Sequence, residues 1–534
     1  MQSSLPPCVL FEDEHLLVVN KPAGWNTHAP SPYAGEGIYD WLKHREPRWA
    51  SLAIIHRLDK ETSGVLVFGK TPLANRSLTE QFAGRGVRKK YLLVTDRTPK
   101  HPTFTAKSKI ARAGERYVSS DHGEPAETRF RVVTGSAPQT VLEAEPLTGR
   151  THQIRVHAAA HGFPILGDRL YGGSPFPRVC LHAAELTCQH PATHADVTFS
   201  VPANFTADVR QSLRTALVEP TGTDTYRLIH GASDGWPGWY VDRFGTNLLA
   251  QSERELAPEL QKQIAQLAAG LSPDGSTVYH KLLSRHVRGT STRESSPQLV
   301  QGKPAAERFV VRENGVQFAL SFTEGYSVGL FLDQRDNRRR FLTGQVAANF
   351  PLCDAKMSGS KPEILNCFAY TCGFSVCAAL GGARATSLDL SKKYLEWGRH
   401  NFALNGLDPK QHDFIYGDTF DWLKRLGKKQ RQFDAIVLDP PTFSQSRESG
   451  VFRAGKDYGK LVSTALPLLK PEGVLLASTN AAELKPEDFL AQIHQAINKS
   501  GRAVSQQHYV PQPPDFPISR EEPAYLKTVW LRVA

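Results

Sequence analysis

A short polar segment between two apolar runs restricts the fold of the first part of this chain more than any other feature. The sequence His-Arg-Leu-Asp-Lys-Glu-Thr-Ser-Gly occupies residues 56–64, and apolar residues fill 52–55 and 65–68. Apolar runs bounded by turn-forming residues predict a strand, a tight polar loop and a second strand. The loop holds Asp59 between basic residues. Since a single aspartate in such a loop is most often a turn residue, a function for it needs support from elsewhere in the chain.

Length and periodicity predict several domains. A chain of 534 residues is expected to form roughly three or four units. Residues 1–205 contain short strands separated by turns, residues 206–224 have the composition of a linker, and residues 225–320 predict a small α/β domain. Residues 321–534 alternate apolar strands with amphipathic helices, which is typical of a Rossmann-like doubly wound sheet. The expected fold class is therefore multidomain, with α+β and α/β parts and a mixed sheet in the first domain.

Composition excludes several classes of protein. The chain has no run of about eighteen apolar residues, so no membrane-spanning helix is expected. Its seven cysteines are odd in number and lack a framework spacing, which predicts reduced thiols in a cytoplasmic protein. Cys367, Cys372 and Cys377 are evenly spaced, but their spacing differs from that of zinc ligands. No metal is therefore expected.

The charge balance favours a polyanionic partner. The formal net charge is +11 and the isoelectric point is about 9.2, and nucleic acid is the commonest partner of such proteins. Basic residues cluster at 85–90, 335–340 and 424–429. The alternative interpretation of the three clusters is a set of solvated surfaces, so charge alone leaves RNA binding undecided.

A second motif gives the Asp59 loop its interpretation. Residues 149–157 read Gly-Arg-Thr-His-Gln-Ile-Arg-Val-His, and residues 9–24 hold an apolar run that ends in Asn-Lys-Pro-Ala-Gly. With the Asp59 loop, these segments closely resemble the motifs of RluA-type pseudouridine synthases. The resemblance implies the isomerisation of a uridine in RNA with no cofactor and no metal. It also implies that the target base leaves its stack.

The same resemblance assigns roles to individual residues. Asp59 would act on the ribose and base, either as a nucleophile or as a base. Arg57 would fill the space that the base vacates, and Tyr91 would pack on the uracil ring. Arg155 would pair with Asp59 and hold it ionised, since a neighbouring cation favours the charged carboxylate. His152 and His157 are interpreted as structural.

The last segment carries a second chemistry. Residues 366–374 follow a predicted strand and open a helix, and Asp389 ends the next strand, where a carboxylate can bind ribose hydroxyls. The Asp-Pro-Pro-Thr-Phe sequence at 439–443 ends a further strand. This order resembles class I methyltransferases that use S-adenosylmethionine (SAM), in particular the guanine-N7 half of RlmKL and, less closely, RlmI. The loop at 366–374 has Gly373 as its one glycine, which makes it weak as an isolated motif.

The resemblance implies a set of residues around the methyl donor, with a lid at 329–335 and a contact to adenine at Asp418. The implied donor-binding residues are Phe331, Asp333, Gln334, Arg335, Asn366, Phe368, Tyr370, Gly373, Asp389, Asp418 and Asp439. Asp439 and Pro440 would face donor and acceptor, and Phe443 would stack on the target base.

One position separates the methylation targets. Methylation of cytosine carbon 5 needs a cysteine thiolate that adds to the ring. In the RlmI-type cytosine enzymes that cysteine follows the strand after the Asp-Pro-Pro loop, where this chain has Asn480, and no cysteine occurs after Cys377. Guanine N7 has a lone pair and loses no proton, so positioning suffices. We expect a nitrogen target, with guanine N7 favoured, an exocyclic amino group as the alternative and cytosine carbon 5 disfavoured.

Together these features predict a bifunctional RNA-modifying enzyme that acts on 23S rRNA or on a large-subunit assembly intermediate. The domain at 225–320 resembles one that precedes the catalytic domain in a group of 23S rRNA methyltransferases, and it is either an RNA-docking element or a spacer. Two alternatives stay open. One domain is active while the other clamps RNA, or the protein is a ribosome-assembly factor. Whether it is a monomer or an oligomer is left open.

Overall fold

The computed structural model describes residues 5–136, 138–271, 276–283, 296–325, 327–353, 361–446 and 450–534. The chain divides into two compact units. The first unit comprises residues 1–29, 37–43 and 48–219, and the second comprises 30–36, 44–47 and 220–534. Residues 225–320 and 321–534, which we predict to be separate domains, fall together in the second unit.

The first unit is built on a mixed sheet of eleven strands within the described residues. In chain order its strands are β1 (Val9–Glu12), β2 (Leu16–Lys21), β3 (Ala53–Ile54), β4 (Ser63–Gly69), β5 (Arg88–Thr95), β6 (Thr103–Ala113), β7 (Arg116–Ser119), β8 (Glu124–Ser136), β9 (Gln139–Pro146), β10 (Leu181–Gln189) and β11 (Asp196–Ser200). Its α-helices are α1 (Ile38–Lys43), α2 (Pro72–Ala83), α3 (Gln153–Ala160) and α4 (Val209–Leu217). The main path of the sheet runs β1-β2-β4-β10-β5-β9-β8-β6-β7, with β3 beside β4 and β11 beside β10.

The centre of this sheet carries the predicted loop. Every residue of β4 is buried, and β4 pairs antiparallel with β2 and parallel with β10. Gly64 has a φ of +119°, and a Cβ at this position would lie 2.2 Å from the carbonyl oxygen of Ala183 on β10. Because only glycine accommodates both the backbone angle and the close approach, the Ser-Gly end of the loop is dictated by the junction of β4 with β10.

The second unit begins with a five-stranded sheet and a hairpin. The sheet has the order β12-β13-β14-β15-β16. Its strands are β12 (Thr225–His230), β13 (Trp239–Phe244), β14 (Asn247–Ser252), β15 (Thr277–Leu282) and β16 (Gln298–Gln301). Helix α5 (Pro258–Leu271) connects the parallel pair β14 and β15. The hairpin consists of β17 (Phe309–Glu313) and β18 (Val316–Leu320).

The rest of the second unit is a doubly wound α/β fold. Its strands are β19 (Gln345–Ala347), β20 (Phe350–Pro351), β21 (Glu363–Cys367), β22 (Arg384–Asp389), β23 (Asp413–Tyr416), β24 (Phe433–Leu438), β25 (Phe443–Ser446), β26 (Gly450–Arg453), β27 (Leu469–Thr479), β28 (Val504–Val510) and β29 (Lys527–Val533). Its α-helices are α6 (Arg335–Thr343), α7 (Gly373–Leu380), α8 (Lys392–Leu404), α9 (Thr419–Lys428), α10 (Ala454–Ala465) and α11 (Pro486–Lys499). The main sheet has the order β23-β22-β21-β24-β27-β29-β28.

The direction of these strands determines where a site can form. Strands β21, β22, β23, β24 and β27 are parallel, whereas β29 is antiparallel to both of its neighbours. The carboxyl ends of the parallel strands therefore meet at one edge, which is where ligands bind in sheets of this kind. Of the predicted acids, Asp389 is the last residue of β22 and Asp439 directly follows β24, so both lie at that edge. In this part the sequence-based assignment of strands and fold class is confirmed.

The three basic clusters differ in their exposure and in their partners. Arginines 335, 338, 339 and 340 on α6 are buried. Arg338 forms a bidentate pair with Glu313 at 2.7 Å, and Arg335 binds Asp515 at 2.8 Å. The interpretation of 335–340 as a solvated surface is therefore wrong, because Arg335, Arg338 and Arg339 form buried ion pairs and Arg340 donates to the carbonyl oxygen of Val346. In the cluster at 85–90, Lys90 pairs with Glu185, whereas the basic residues at 424–429 are exposed.

Candidate active sites

The backbone of the Asp59 loop is held by hydrogen bonds from residues 21–27. The amide of Gly24 and the ammonium group of Lys21 both donate to the carbonyl oxygen of Lys60, at 2.8 and 3.2 Å. The hydroxyl of Thr27 donates to the carbonyl oxygen of Leu58 at 2.8 Å. The Asn-Lys-Pro-Ala-Gly segment, which begins in the last two residues of β2, thus binds the backbone of the loop, which explains why these separate stretches of sequence occur together.

Arg155 lies beside Asp59, but its main partner is another acid. Its Nε and Nη2 atoms donate to the two carboxylate oxygens of Asp168 at 2.6 and 2.8 Å. Its Nη1 atom lies 3.2 Å from Glu61 and 3.8 Å from Asp59. The predicted pairing of Arg155 with Asp59 is present as an ion pair at 3.8 Å, but Asp168 and Glu61 take the guanidinium donors at hydrogen-bond distance.

Burial dominates the electrostatics of this site. Burial raises the pKa of Asp59, and Glu61 adds to that rise, while His152 and Arg155 oppose it. We expected Arg155 to hold Asp59 ionised, but the effect of burial on the pKa of Asp59 is larger than that of Arg155. Removing a carboxylate from water favours its neutral form. Burial likewise lowers the pKa of Lys21 to about 7, against the attraction of Asp59 and Glu61.

Two further predicted residues lie at different depths. Tyr91 is on β5 between β9 and β10. Burial and the charge of Asp59 raise the pKa of its phenol, so the ring is close enough to sense the carboxylate. Arg57 is exposed on the loop itself. Its predicted entry into the space of the departing base stays a prediction.

His152 is a member of the site that the sequence-based interpretation missed. Its Nε2 atom lies 3.9 Å from a carboxylate oxygen of Asp59. The signal in the sequence was its closeness to Arg155, three residues later, although His152 precedes α3 and is not part of the helix. His157 behaves differently. Its ring nitrogens lie 2.9 Å from the hydroxyl of Thr128 and 3.0 Å from that of Ser108, and no contact with Asp59 is seen among the described residues.

A cavity of about 420 Å³ opens at the carboxyl edge of the second sheet. This volume is within the range of small-molecule sites. Among its lining residues are ten that the sequence predicted: Phe331, Asp333, Gln334, Phe368, Tyr370, Asp389, Asp418, Asp439, Pro440 and Asn480. Phe443 lies on β25 between Thr442 and Ser444, both of which line the cavity, and its ring is 42% exposed.

Three predicted donor-binding residues do not line this cavity. Arg335 is turned into the ion pair with Asp515. Asn366 is buried, and its side-chain amide donates to the hydroxyl of Ser375 at 3.0 Å. Gly373 begins α7, and its Cα faces the side chain of Arg338. These three residues lie outside the lining of the cavity, so the structure does not bring them to the predicted donor site.

The glycine-poor loop after β21 achieves its turn without glycine. Phe368, Tyr370 and Cys372 all have positive φ angles, of 58°, 49° and 63°. Side chains rarely adopt this left-handed conformation, and such residues cluster at functional sites. The backbone amide of Tyr370 donates to Asp389 at 2.8 Å, which ties the loop to the end of β22. The backbone therefore takes the shape that a glycine-rich loop would otherwise supply.

Acids surround the cavity on several sides. Gln334 donates to Asp439 at 3.1 Å, and Tyr525 donates to Asp333 at 2.9 Å. Burial, with the charge of Asp333 adding to it, raises the pKa of Asp439 to about 7. Burial also raises the pKa of Asp389. A pocket with so many carboxylates is suited to a ligand that carries positive charge and ribose hydroxyls, and SAM has both.

Thr442 and Asn480 form a hydrogen-bonded pair among the residues that line the cavity. The hydroxyl of Thr442 donates to the side-chain oxygen of Asn480 at 2.7 Å. No cysteine is among the described residues that line the cavity. Cys367, Cys372 and Cys377 are buried elsewhere, and burial raises the pKa of each thiol. The described part of the chain also shows no cluster of side chains suited to a metal ion and no helix long and apolar enough to cross a membrane.

Comparisons with known proteins assign two stretches of the chain to protein families. Residues 15–160 match RNA pseudouridylate synthases, and residues 226–532 match S-adenosylmethionine-dependent methyltransferases. A ribosomal RNA large subunit methyltransferase of Deinococcus radiodurans is 33% identical over 61% of this chain and 78% of its own length. The ribosomal RNA large subunit methyltransferase I of Aeromonas salmonicida is 33% identical over 60% and 78%. The ribosomal large subunit pseudouridine synthase C of Yersinia pestis is 39% identical over 38% and 67%.

Proposed function

We propose how the two sites of this chain act, starting from its families. The chain belongs to the S-adenosylmethionine-dependent methyltransferase family, and its first part belongs to the RNA pseudouridylate synthases. It is a bifunctional enzyme that modifies RNA of the large ribosomal subunit. Our proposal is that Asp59 drives the isomerisation of a uridine and that the cavity beside Asp439 directs methyl transfer to a base nitrogen, first of all guanine N7. The RNA would be 23S rRNA or a large-subunit assembly intermediate.

Support for the role of Asp59 comes from its position. Breaking the bond between uracil and ribose needs a carboxylate at the sugar, and Asp59 stands on a loop clamped by Gly24, Lys21 and Thr27. Asp168 fixes the guanidinium of Arg155, which leaves Nη1 directed at Asp59 and Glu61. Tyr91 provides a ring close to the carboxylate. These groups can orient a flipped uridine and stabilise the ionised acid once RNA excludes water from the site.

Support for the methyl-donor site comes from the residues that line the cavity. Asp389 would hold ribose hydroxyls, Asp418 would contact the adenine, and Asp439 with Asp333 would attract the positively charged end of the donor. When bound, SAM supplies a methyl group attached to a positively charged sulfur. The protein's contribution is to orient the acceptor nitrogen toward that methyl group and to exclude water.

The observation that carries the choice of a nitrogen target is Asn480. Since the hydroxyl of Thr442 donates to the side-chain oxygen of Asn480, the amino group of that amide is the part that can donate to a base. Guanine presents O6 as an acceptor next to N7, whereas adenine presents an amino donor there. A donor at Asn480 therefore favours guanine, and the lack of a thiol among the described lining residues disfavours carbon methylation.

The second candidate target is an exocyclic amino group. Asp439 lines the cavity and can accept a hydrogen bond from such a group. Incubating the purified full-length protein with deuterated SAM and large-subunit rRNA from a deletion strain, then digesting the RNA to nucleosides, tests both targets. We expect labelled 7-methylguanosine. Labelled N2-methylguanosine or N6-methyladenosine would replace the first candidate with the second, and 5-methylcytidine would contradict both.

A further inference from the structure

Three groups next to Asp59 form a chain of hydrogen bonds whose direction can be read. The backbone amide of Tyr117 donates to the phenolic oxygen of Tyr171 at 2.9 Å. The same phenolic oxygen lies 2.8 Å from Nδ1 of His152. Because a backbone amide can only donate, the phenol accepts from Tyr117 and keeps its own proton as a donor. Among the described residues Nδ1 of His152 is the one partner within hydrogen-bond distance that can take this proton, so we assign Nδ1 as the acceptor.

The direction assigned to this chain implies the tautomer of His152. In a neutral imidazole one nitrogen accepts and the other carries the proton, so acceptance at Nδ1 places the proton on Nε2. Nε2 is the atom that lies 3.9 Å from Asp59. This distance exceeds that of a hydrogen bond, and catalytic contacts of this kind commonly shorten when substrate binds.

The backbone at His152 supports a functional interpretation. His152 immediately precedes α3 and has a φ of 55° with no capping bond from its side chain. Residues other than glycine seldom take this conformation, and where they do the conformation is frequently tied to function. Here the imidazole lies near Asp59 from a position just before α3, while Arg155, three residues later, approaches Asp59 from within the helix.

The charges around the imidazole determine its protonation. Burial lowers the pKa of His152, with Arg155 acting in the same direction, against the carboxylates of Asp59, Glu61 and Asp168. The neutral ring with its proton on Nε2 is thus the form to consider at neutral pH. Arg155 is committed to Asp168, so Asp59 has no cationic donor at hydrogen-bond distance among the described side chains.

We propose that His152 is a positioning residue for pseudouridine formation, with Tyr171 holding it in the tautomer that donates from Nε2 to the Asp59 carboxylate. The proposal rests on the role of Asp59 proposed above. A neutral donor of this kind favours the ionised carboxylate and restrains its rotation without adding a charge that would compete with the RNA backbone. Tyr171 acts one step further out, through the histidine.

Rates measured across pH on the full-length protein test this assignment. The substrate is large-subunit rRNA from a strain that lacks the gene, and the variants are His152→Leu, His152→Gln and Tyr171→Phe. Loss of the donor in His152→Leu should raise the pH of the acidic limb of kcat/KM, so that activity falls about tenfold near pH 6 and recovers at high pH. His152→Gln keeps a donor and should retain the wild-type limb. Tyr171→Phe keeps the aromatic ring but removes the hydroxyl that binds Nδ1 of His152. It should shift the acidic limb in the same direction as His152→Leu.

His157→Gln serves as the matched control, because His157 lies on α3, five residues after His152, and contacts Thr128 and Ser108 instead of Asp59. It should leave the pH profile unchanged. A His152→Leu profile parallel to that of the wild type would overturn the proposal, even if the rate were lower at every pH. Asp59→Ala separates the two claims: an active Asp59→Ala variant refutes the site itself, whereas an inactive one with unshifted His152 and Tyr171 variants refutes only the positioning role.

Discussion

At the scale of single residues, Asp439 is partly buried and, in our proposal, has to attract a positively charged methyl donor. Its pKa is raised to about 7 by burial and by the nearby charge of Asp333. A cationic donor in the cavity would stabilise the ionised form, so binding and deprotonation are linked. The sequence placed this aspartate at the end of a strand, but the raised pKa depends on the burial and on Asp333, which lies over 100 positions away in the chain.

We predict that SAM binds this protein more tightly as pH rises. Below pH 7 Asp439 has to lose its proton before it can attract the cation, so the dissociation constant should fall between pH 6 and pH 8 and level off above. Calorimetry in buffers of different ionisation enthalpy should reveal proton release at pH 6.5. The variant Asp439→Asn should bind more weakly and with a flat pH dependence. An equally steep pH dependence in the variant would contradict the assignment to Asp439.

The same raised pKa has a consequence for the stability of the free protein. The folded state keeps the proton on Asp439 up to about pH 7, whereas the unfolded chain loses it near the ordinary aspartate value of about 4. The folded state therefore binds more protons between these limits. The contribution of this one group to stability should decline as pH rises from about 4 to 7, relative to Asp439→Asn.

The amide of Asn480 yields a prediction about base choice. Asn480→Asp replaces the amino donor by a second acceptor, which would face O6 of guanine unfavourably. We expect guanine methylation to fall about 10- to 100-fold while SAM affinity stays within about twofold. Thr442→Val, which removes only the hydroxyl that orients the amide, should cause a smaller loss. Unchanged guanine methylation in Asn480→Asp would remove the basis for the guanine assignment.

At the scale of elements, the structure explains why some sequence patterns predicted well and others did not. The strands on either side of the Asp59 loop and the strands of the second sheet were predicted because apolar runs between turns are local signals. The burial of the α6 arginines was not predicted. Their partners Glu313 and Asp515 are distant in sequence, and no local pattern reveals these pairs. The same limit applies to Asp168, the main partner of Arg155.

The loop after β21 shows a different limit. Its single glycine made it weak as a motif, yet Phe368, Tyr370 and Cys372 take the left-handed conformation that glycine usually supplies. The anchoring bond from Tyr370 to Asp389 compensates for part of the strain. Sequence rules that read backbone shape from glycine alone miss such a turn.

Gly64 allows a test at the level of one strand junction. A Cβ there would lie 2.2 Å from the carbonyl oxygen of Ala183, and the φ of +119° is unfavourable for alanine. We expect Gly64→Ala to destabilise the first unit by about 3 kcal/mol, because β4 and β10 have to separate. Pulse proteolysis of the full chain in urea, with fragments identified by mass, measures this.

Gly114→Ala is the control for that experiment. Gly114 has a φ of +64°, but no atom lies within 4 Å of a Cβ built there. The control should cost only about 1 kcal/mol, the strain of the backbone angle alone. Equal effects of the two substitutions would show that the contact with Ala183 is unimportant.

At the scale of the whole molecule, one chain carries two chemically independent sites. Asp59 and its neighbours lie in the first unit, and the cavity at Asp439 lies in the second. The first reaction needs only a carboxylate and its supporting groups, whereas the second needs a bound methyl donor. The net charge of +11 favours an RNA partner, although some of the basic residues, such as Arg335 and Arg338 of α6 and Lys90, are paired with acidic residues of the chain.

Mass-spectrometric mapping of large-subunit rRNA from a deletion strain tests the central claim most directly when the strain carries the wild type, Asp59→Ala or Asp439→Ala. We predict that the deletion removes one pseudouridine and one methylated guanosine. Asp59→Ala should restore the methylation alone, and Asp439→Ala the pseudouridine alone. Both modifications intact in the deletion strain, or one variant restoring both, would contradict an enzyme with two active sites.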